Sequence, residues 1–272
     1  MKKKLILLKL FIILLISTSF AANDNYPIGA RQAAMSNASV CLSDIWSVHH
    51  NQAGLTKLKK ISLGFHHENK FFNNDFGLQS FALALPTKSG VFAFNLSYFG
   101  FTEYNESKIA LSYAKSFGEK FSVGIQFDYF NTFINDNFDN QGTMVIEAGI
   151  ISEPVENLII GAHIFNPTKS QISKSTEEKV PTIFKIGVAY KFYEKTTICI
   201  ETEKDIDFSS VFKIGIEYLI VKNVLLRTGF RTNPANFSFG IGYLFRKFSA
   251  DIAFSRHEIF GTTPHFSIGY TF

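Results

Sequence analysis

The chain has 272 residues, 46% of them hydrophobic, with 31 Phe and 10 Tyr, two Cys and a formal charge of +4 from 27 basic and 23 acidic side chains. Four of the lysines (Lys2, Lys3, Lys4, Lys9) lie in the first 21 residues, so the remainder is balanced at 23 against 23. Nothing in that balance points to nucleic acid as a partner. About 250 residues after the leader suit one large β domain.

The chain opens MKKKLILLKLFIILLISTSFAAND. A basic start at Lys2 to Lys4, an apolar run from Leu5 to about Phe20 and the small-x-small site Ser19-Phe20-Ala21 predict a secretory signal peptide over residues 1–21, cleaved near Ala21. The run is shorter than a membrane helix requires and is broken by Lys9. No later apolar run is long enough for a helical span, so an exported chain this rich in aromatics is expected to place them on strands.

Residues 22–58 do not alternate. They predict an N-terminal periplasmic or plug segment with one or two short helices from Ala30 to about Leu42, followed by a turn rich in Asn, Gln and Gly.

From residue 59 onward the pattern has period two. Strands are expected at 59–68, 76–85, 91–101, 105–117, 121–134, 142–152, 157–166, 182–192, 195–204, 209–220, 222–232, 236–245, 247–256 and 263–272. In the closing stretch Phe237, Phe239, Ile241, Tyr243 and Phe245 alternate with Ser238, Gly240 and Gly242. The small face carries Gly repeatedly, at Gly187, Gly215, Gly229, Gly240, Gly242 and Gly269. A soluble sandwich also alternates, but its exterior is usually denser in Lys and Glu than this small-residue face. The expected fold is therefore all-β: a transmembrane antiparallel up-and-down β-barrel of about 14 strands over residues 59–272, with a short helical plug-like segment before it. Short connections such as 118–120 and 246–247 alternate with longer polar ones such as 166–181 and 257–264. That asymmetry places the short turns in the periplasm of a Gram-negative envelope, and the protein in the outer membrane.

A repeat runs through the strands that descend to the short turns: KIALSYAK, KIGVAYKF, KIGIEYLI, SFGIGYLF and HFSIGYTF. These align on Tyr113, Tyr190, Tyr218, Tyr243 and Tyr270, all on the apolar face, as an interfacial aromatic girdle requires.

The stretch GARQAAMSNASVCLSD…WSVHHNQAGL resembles the opening of FadL-like and PorV/PorQ-like outer-membrane barrels, in which a Gly-Ala-Arg start leads to an Asn-Pro-Ala-Gly-Leu element. Here that element reads Asn51, Gln52, Ala53, Gly54, Leu55, with Gln in place of Pro. FadL-likeness implies an N-terminal plug and passive transport of small hydrophobic molecules. The PorV/PorQ alternative implies type IX secretion or surface attachment through protein partners. Phe272 resembles the C-terminal signal read by the barrel assembly machinery. The partners expected are thus outer-membrane lipid, that machinery, and either hydrophobic small molecules or secretion-system proteins.

Strand parity turns Glu147, His163, Lys185, Glu201, Lys213, Glu217, Arg227, Arg231 and Asp251 toward the lumen, together with Lys191, Glu203 and His265. Charges of both signs on neighbouring strands are expected to hold a wall rather than filter ions. Cys199 also faces inward. Export permits a disulfide from it to Cys41 in the N-terminal segment, and two unrelated thiols is the other reading. His49-His50 and His66-His67 are adjacent pairs whose rings point apart, with no carboxylate or Cys at ligand spacing, so no metal is expected. His257, Glu258 and His265 lie near the outer rim, but no Gly-x-Ser-x-Gly or His-Glu-x-x-His element is present, so neither enzymatic activity nor a cofactor is expected.

Overall fold

In a computed structural model, residues 25–135, 141–172 and 179–272 are described. The expected signal peptide lies outside them. Two short helices come first, α1 (Ala30–Ala34) and α2 (Ser47–His50), and a 3₁₀ segment follows at Gln52–Lys57. Fourteen strands come next: β1 Ser62–Asn69, β2 Gly77–Pro86, β3 Val91–Gly100, β4 Tyr104–Phe117, β5 Phe121–Ile134, β6 Gln141–Ser152 and β7 Leu158–Phe165. The second half comprises β8 Ile183–Phe192, β9 Thr196–Asp205, β10 Val211–Val221, β11 Val224–Arg231, β12 Asn236–Phe245, β13 Phe248–His257 and β14 Gly261–Thr271.

Each strand pairs antiparallel with its chain neighbours, and β1 closes on β14 with Ser62 opposite Thr271 and Glu68 opposite His265. Closure removes every sheet edge, the condition for placing strands in hydrocarbon. The expected strand bounds lie within three residues of the observed ones, because alternation of large and small residues tracks the two faces residue by residue.

The large residues face outward. Phe237, Phe239, Ile241, Phe266 and Ile268 are exposed on the barrel exterior, while Ser238 and Ser267 are buried inside. In a soluble protein such an apolar surface would be a liability. Around a closed barrel it is the lipid-facing band.

The N-terminal segment departs from expectation in one respect. Of the one or two short helices expected from Ala30 to about Leu42, the second lies later, at Ser47–His50, and the first stops at Ala34, because Ser36 and Asn37 adopt positive φ of 51° and 61°. Beyond that break the backbone turns to the wall, and the Ser39 and Val40 N–H groups both donate to Glu201 Oε2 at 2.8 Å. A wall carboxylate thus takes the donors that a continuing helix would have used internally.

The segment lies inside the barrel. A Cβ added at Gly229 would sit 2.6 Å from the Ser36 nitrogen and 2.7 Å from the Met35 oxygen, and one at Gly124 would sit 2.5 Å from the Ala53 nitrogen. The glycine-rich small face of the strands is therefore the surface on which the segment's backbone rests. Only hydrogen at those positions allows so close an approach.

Candidate functional site

The Asn51–Leu55 element packs against β5 and β6, and all five residues are buried. Asn51 caps the 3₁₀ segment, its Oδ1 accepting from Ala53 N–H at 3.2 Å. Its Nδ2 donates to the Val40 oxygen at 2.8 Å and to the Ile150 oxygen of β6 at 3.1 Å. Gly54 leaves no room for a side chain, since a Cβ would lie 2.8 Å from the Leu42 oxygen.

Gln52, the residue that departs from the FadL-like pattern, reaches the wall. Its Nε2 donates to Glu147 Oε2 at 2.8 Å. Glu147 also accepts from Lys108 Nζ at 2.7 Å and Gln126 Nε2 at 3.1 Å, and its Oε2 lies 3.0 Å from His163 Nε2. Asp128 adds a second carboxylate 3.4 Å from Lys108 Nζ. A fully buried carboxylate is tolerable because so many donors converge on it.

A second clamp centres on Arg31, in the Gly-Ala-Arg start. Its guanidinium grips Glu217 of β10 through two hydrogen bonds of 2.8 and 2.7 Å and Asp44 through a third of 2.9 Å. Arg227 of β11 bonds the same Glu217 at 2.6 Å and Asp251 of β13 at 2.6 Å. A third clamp is Glu201, which holds the Ser39 and Val40 amides on one oxygen and Lys213 on the other at 2.9 Å. Glu203 joins Lys213 at 2.8 Å and Lys185 at 3.6 Å. The lumen charges thus form ladders along the wall, and Glu147, Glu201 and Glu217 also hold the N-terminal segment. That second role was invisible to strand parity, because it depends on what fills the lumen.

Arg231 faces a cavity of about 600 Å³ on the long-loop side of the segment, shared with Tyr26, Glu68, Lys185, Lys213 and His265. A second cavity, of about 580 Å³, opens on the short-turn side beside Leu58, Lys59 and the 86–90 turn. Between the two lie Val48, Gln52, Ala53 and Leu55, each essentially without solvent exposure. An apolar cluster, Phe130, Val145, Phe165, Ile172 and Val180, stands on the upper wall where β5, β6 and β7 meet the loop after β7. Next to it, Tyr26, His49, Leu78, Phe99, Lys108 and Phe130 enclose a space of about 20 Å³, enough for roughly one water.

Burial favours the neutral form of both histidines of the segment. His50 Nε2–H donates to the Ile28 oxygen at 2.7 Å, which leaves Nδ1 to accept from Ser39 Oγ at 2.8 Å. Burial pushes its pKa down to about 3. His49, whose ring nitrogens have no hydrogen-bond partner, is held well below the usual imidazole range, first by burial and then by Lys108.

Of the two readings of Cys41 and Cys199, a disulfide or two separate thiols, the structure has the thiols unbonded. Both thiols are free and buried in one apolar cluster. Cys41 Sγ lies over Gly161 of β7, while Cys199 belongs to β9, two strands further round the wall.

The expectation that no carboxylate stands at ligand spacing from the histidines also needs correction. His66 and His67 do point to opposite faces, as adjacent strand residues must. Glu68, two residues beyond His66, shares its lumen face, and β14 brings His265 alongside. The reactive atoms of His66, Glu68 and His265 lie within 4.8 Å of one another. A separation of some two hundred residues hid this set from the sequence.

Tyr113, Tyr190, Tyr218, Tyr243 and Tyr270 stand on the outer face near the short turns. Tyr190, Tyr218 and Tyr243 are exposed, and Tyr113 and Tyr270 lean on Phe92 and Phe248. The Phe272 N–H donates to the Ile61 oxygen at 3.0 Å, beside the Tyr270 ring.

Fold and lumen together define a transmembrane β-barrel of 14 strands whose interior is occupied by its own N-terminal segment. The same fold is found in the toluene transporter TbuX of Ralstonia pickettii, with a TM-score of 0.71 and 13% identity over 90% of this chain and 98% of that one. It is found in the P. putida toluene transporter TodX, with a TM-score of 0.68 and 12% identity over 92% and 99% of the two chains. A FadL homologue of Pseudomonas aeruginosa shares it at a TM-score of 0.63 and 11% identity, over 91% and 99%. No family model and no curated protein matches the sequence.

Proposed function

We propose that this protein lies in the outer membrane and lets small hydrophobic molecules pass across it without an energy source. On this reading residues 1–21 are the export signal, 22–58 the plug and 59–272 the barrel. The observation that carries the proposal is the apolar lining directly over the buried segment. Tyr26, Leu78, Phe99 and Phe130 line one small space, which His49, Ser97, Glu106 and Lys108 also border, and most of the surface left accessible in it is apolar. A filled lumen is a poor conduit for ions and hydrophilic solutes. An apolar lining that widens as the segment shifts suits a small hydrocarbon, which gains from leaving water. The shared fold with toluene transporters supports the same substrate class, and the similarities lend no support to the secretion-associated alternative.

The test is initial uptake of toluene at limiting concentration by Gram-negative cells with and without the protein in their outer membrane. A several-fold faster uptake is expected. Equal rates, with the protein present and folded, would remove the transport reading.

A further inference from the structure

The lumen face of the β1–β14 seam carries four side chains in a two-by-two block. Glu68 stands opposite His265 and His66 opposite Ser267, with two-residue steps along each strand. Three of the four converge. His265 Nδ1 is 3.3 Å and His66 Nε2 4.0 Å from the same oxygen of Glu68, Oε2. The side chains of His66, Glu68 and His265 are at most 8% exposed.

The remaining ring nitrogens are already occupied. His66 Nδ1 is 2.9 Å from Ser267 Oγ, and His265 Nε2 is 2.9 Å from Ser255 Oγ. The nitrogens aimed at the centre, His66 Nε2 and His265 Nδ1, are buried, and among the described residues their one polar neighbour at the centre is the Glu68 carboxylate, poorly aligned for a hydrogen bond. When each ring donates its outer N–H to serine, two lone pairs and a carboxylate oxygen point at one spot. Three electron-rich atoms in so small a buried volume repel one another unless a proton or a metal cation lies between them.

We infer that His66, Glu68 and His265 bind a divalent transition-metal ion of the zinc class. Two imidazoles and one carboxylate are the donors such an ion takes, and the fourth position is left open. Bonds of about 2.1 Å at tetrahedral angles separate ligand atoms by about 3.4 Å, and the block already has one separation of 3.3 Å and another of 4.0 Å. Ser267 and Ser255 supply the outer hydrogen bonds that orient ligating histidines. The open position faces the loop-side cavity, which Glu68 and His265 both line, so an ion has an approach from outside.

The site would also tie three parts of the molecule together. It bridges the first strand to the last, and Ser267 Oγ, which holds His66, accepts the Ala30 N–H at the start of α1 at 2.8 Å.

Cobalt(II) titration of the chelator-treated mature protein in detergent reads this directly, because tetrahedral cobalt has intense visible d–d bands that zinc abolishes on displacement. One equivalent is expected for the wild type, with a zinc-induced rise of several degrees in the temperature at which the barrel unfolds on a gel. The band is lost in Glu68→Gln and His265→Ala, affinity falls about 10- to 100-fold in Ser255→Ala, and His67→Ala, on the opposite face, binds as the wild type does. Glu68→Gln is isosteric, and retained heat-modifiable mobility certifies its fold. Absence of a stoichiometric band in the wild type overturns the assignment and leaves a proton shared between Glu68 and His265. Equal loss in His67→Ala or His257→Ala overturns it as well, by showing adventitious binding.

Discussion

Gln52 Nε2 lies 2.8 Å from Glu147 Oε2, so a residue of the internal segment completes the coordination of a carboxylate buried in the barrel wall. That one hydrogen bond makes the seating of the segment and the stability of the wall interdependent. Glu147 has no solvent exposure of its own, and Lys108 depends on it and on Asp128 for charge balance.

Replacing Glu147 with Ala should destabilise the folded barrel by about 3–5 kcal/mol, since Lys108 and His163 lose their common partner in a buried site. Gln52→Ala removes a single hydrogen bond to a charged acceptor and should cost about 1.5–3 kcal/mol. Urea unfolding followed by heat-modifiable mobility gives both values. Equal and negligible effects would show that the network is not formed.

The Arg31 clamp on Glu217 is bidentate, and lysine cannot reproduce it. Planar-bilayer recordings should therefore find Arg31→Ala and Arg31→Lys intermittently conductive, against a closed wild type. A chain lacking residues 22–50 should show steady conductance steps. If the shortened chain folds as a barrel and still does not conduct, wall side chains alone fill the lumen.

Gly229→Val places carbon atoms where the Met35 and Ser36 backbone now lies. Overpacking of this kind costs about 1–3 kcal/mol. The rigid wall should hold while the segment moves, so limited proteolysis should cut within residues 30–50 of the variant under conditions that leave the wild type intact.

Acid should loosen the segment. The His50 pKa is about 3 in the folded protein, against an ordinary imidazole value near 6.5, because burial disfavours the cation. The seated state is therefore at full strength above about pH 6.5 and loses about 1.4 kcal/mol per pH unit as the pH falls from there toward 3. Conductance or protease sensitivity that rises below pH 6.5 in the wild type, and rises less steeply in His50→Gln, is the expected result.

Cys41 and Cys199 should resist maleimide in the native protein and both react after denaturation. Burial raises the Cys41 thiol well above its ordinary pKa, which suppresses the thiolate. Mobility on a gel should be the same with and without reductant.

The barrel itself was written in the sequence. A strand buried on one side and bathed in lipid on the other must repeat every two residues, and that local rule is satisfied by stretches such as 236–245 without reference to any partner. Turn positions follow from equally local chemistry, as at Asn223 and Arg246, where the chain takes positive φ between strands. The buried position of Asn51–Leu55 was approached through a resemblance, and the reason the wall is rich in glycine there was not. The small face looks alike in the sequence whether it meets water or backbone.

Tertiary structure decided the rest, because those features are distances between residues remote in the chain. Strand parity put Glu147, Glu201 and Glu217 inside the barrel, but only the folded lumen pairs them with Gln52, with the Ser39 and Val40 amides, and with Arg31. It brought Cys41 and Cys199, remote in the chain, into one buried apolar cluster. It also closed β1 on β14, which sets His265 beside His66 and Glu68. Periodicity is a property of neighbours and survives in one dimension, whereas coordination of a buried charge belongs to a volume and exists only once the barrel has closed.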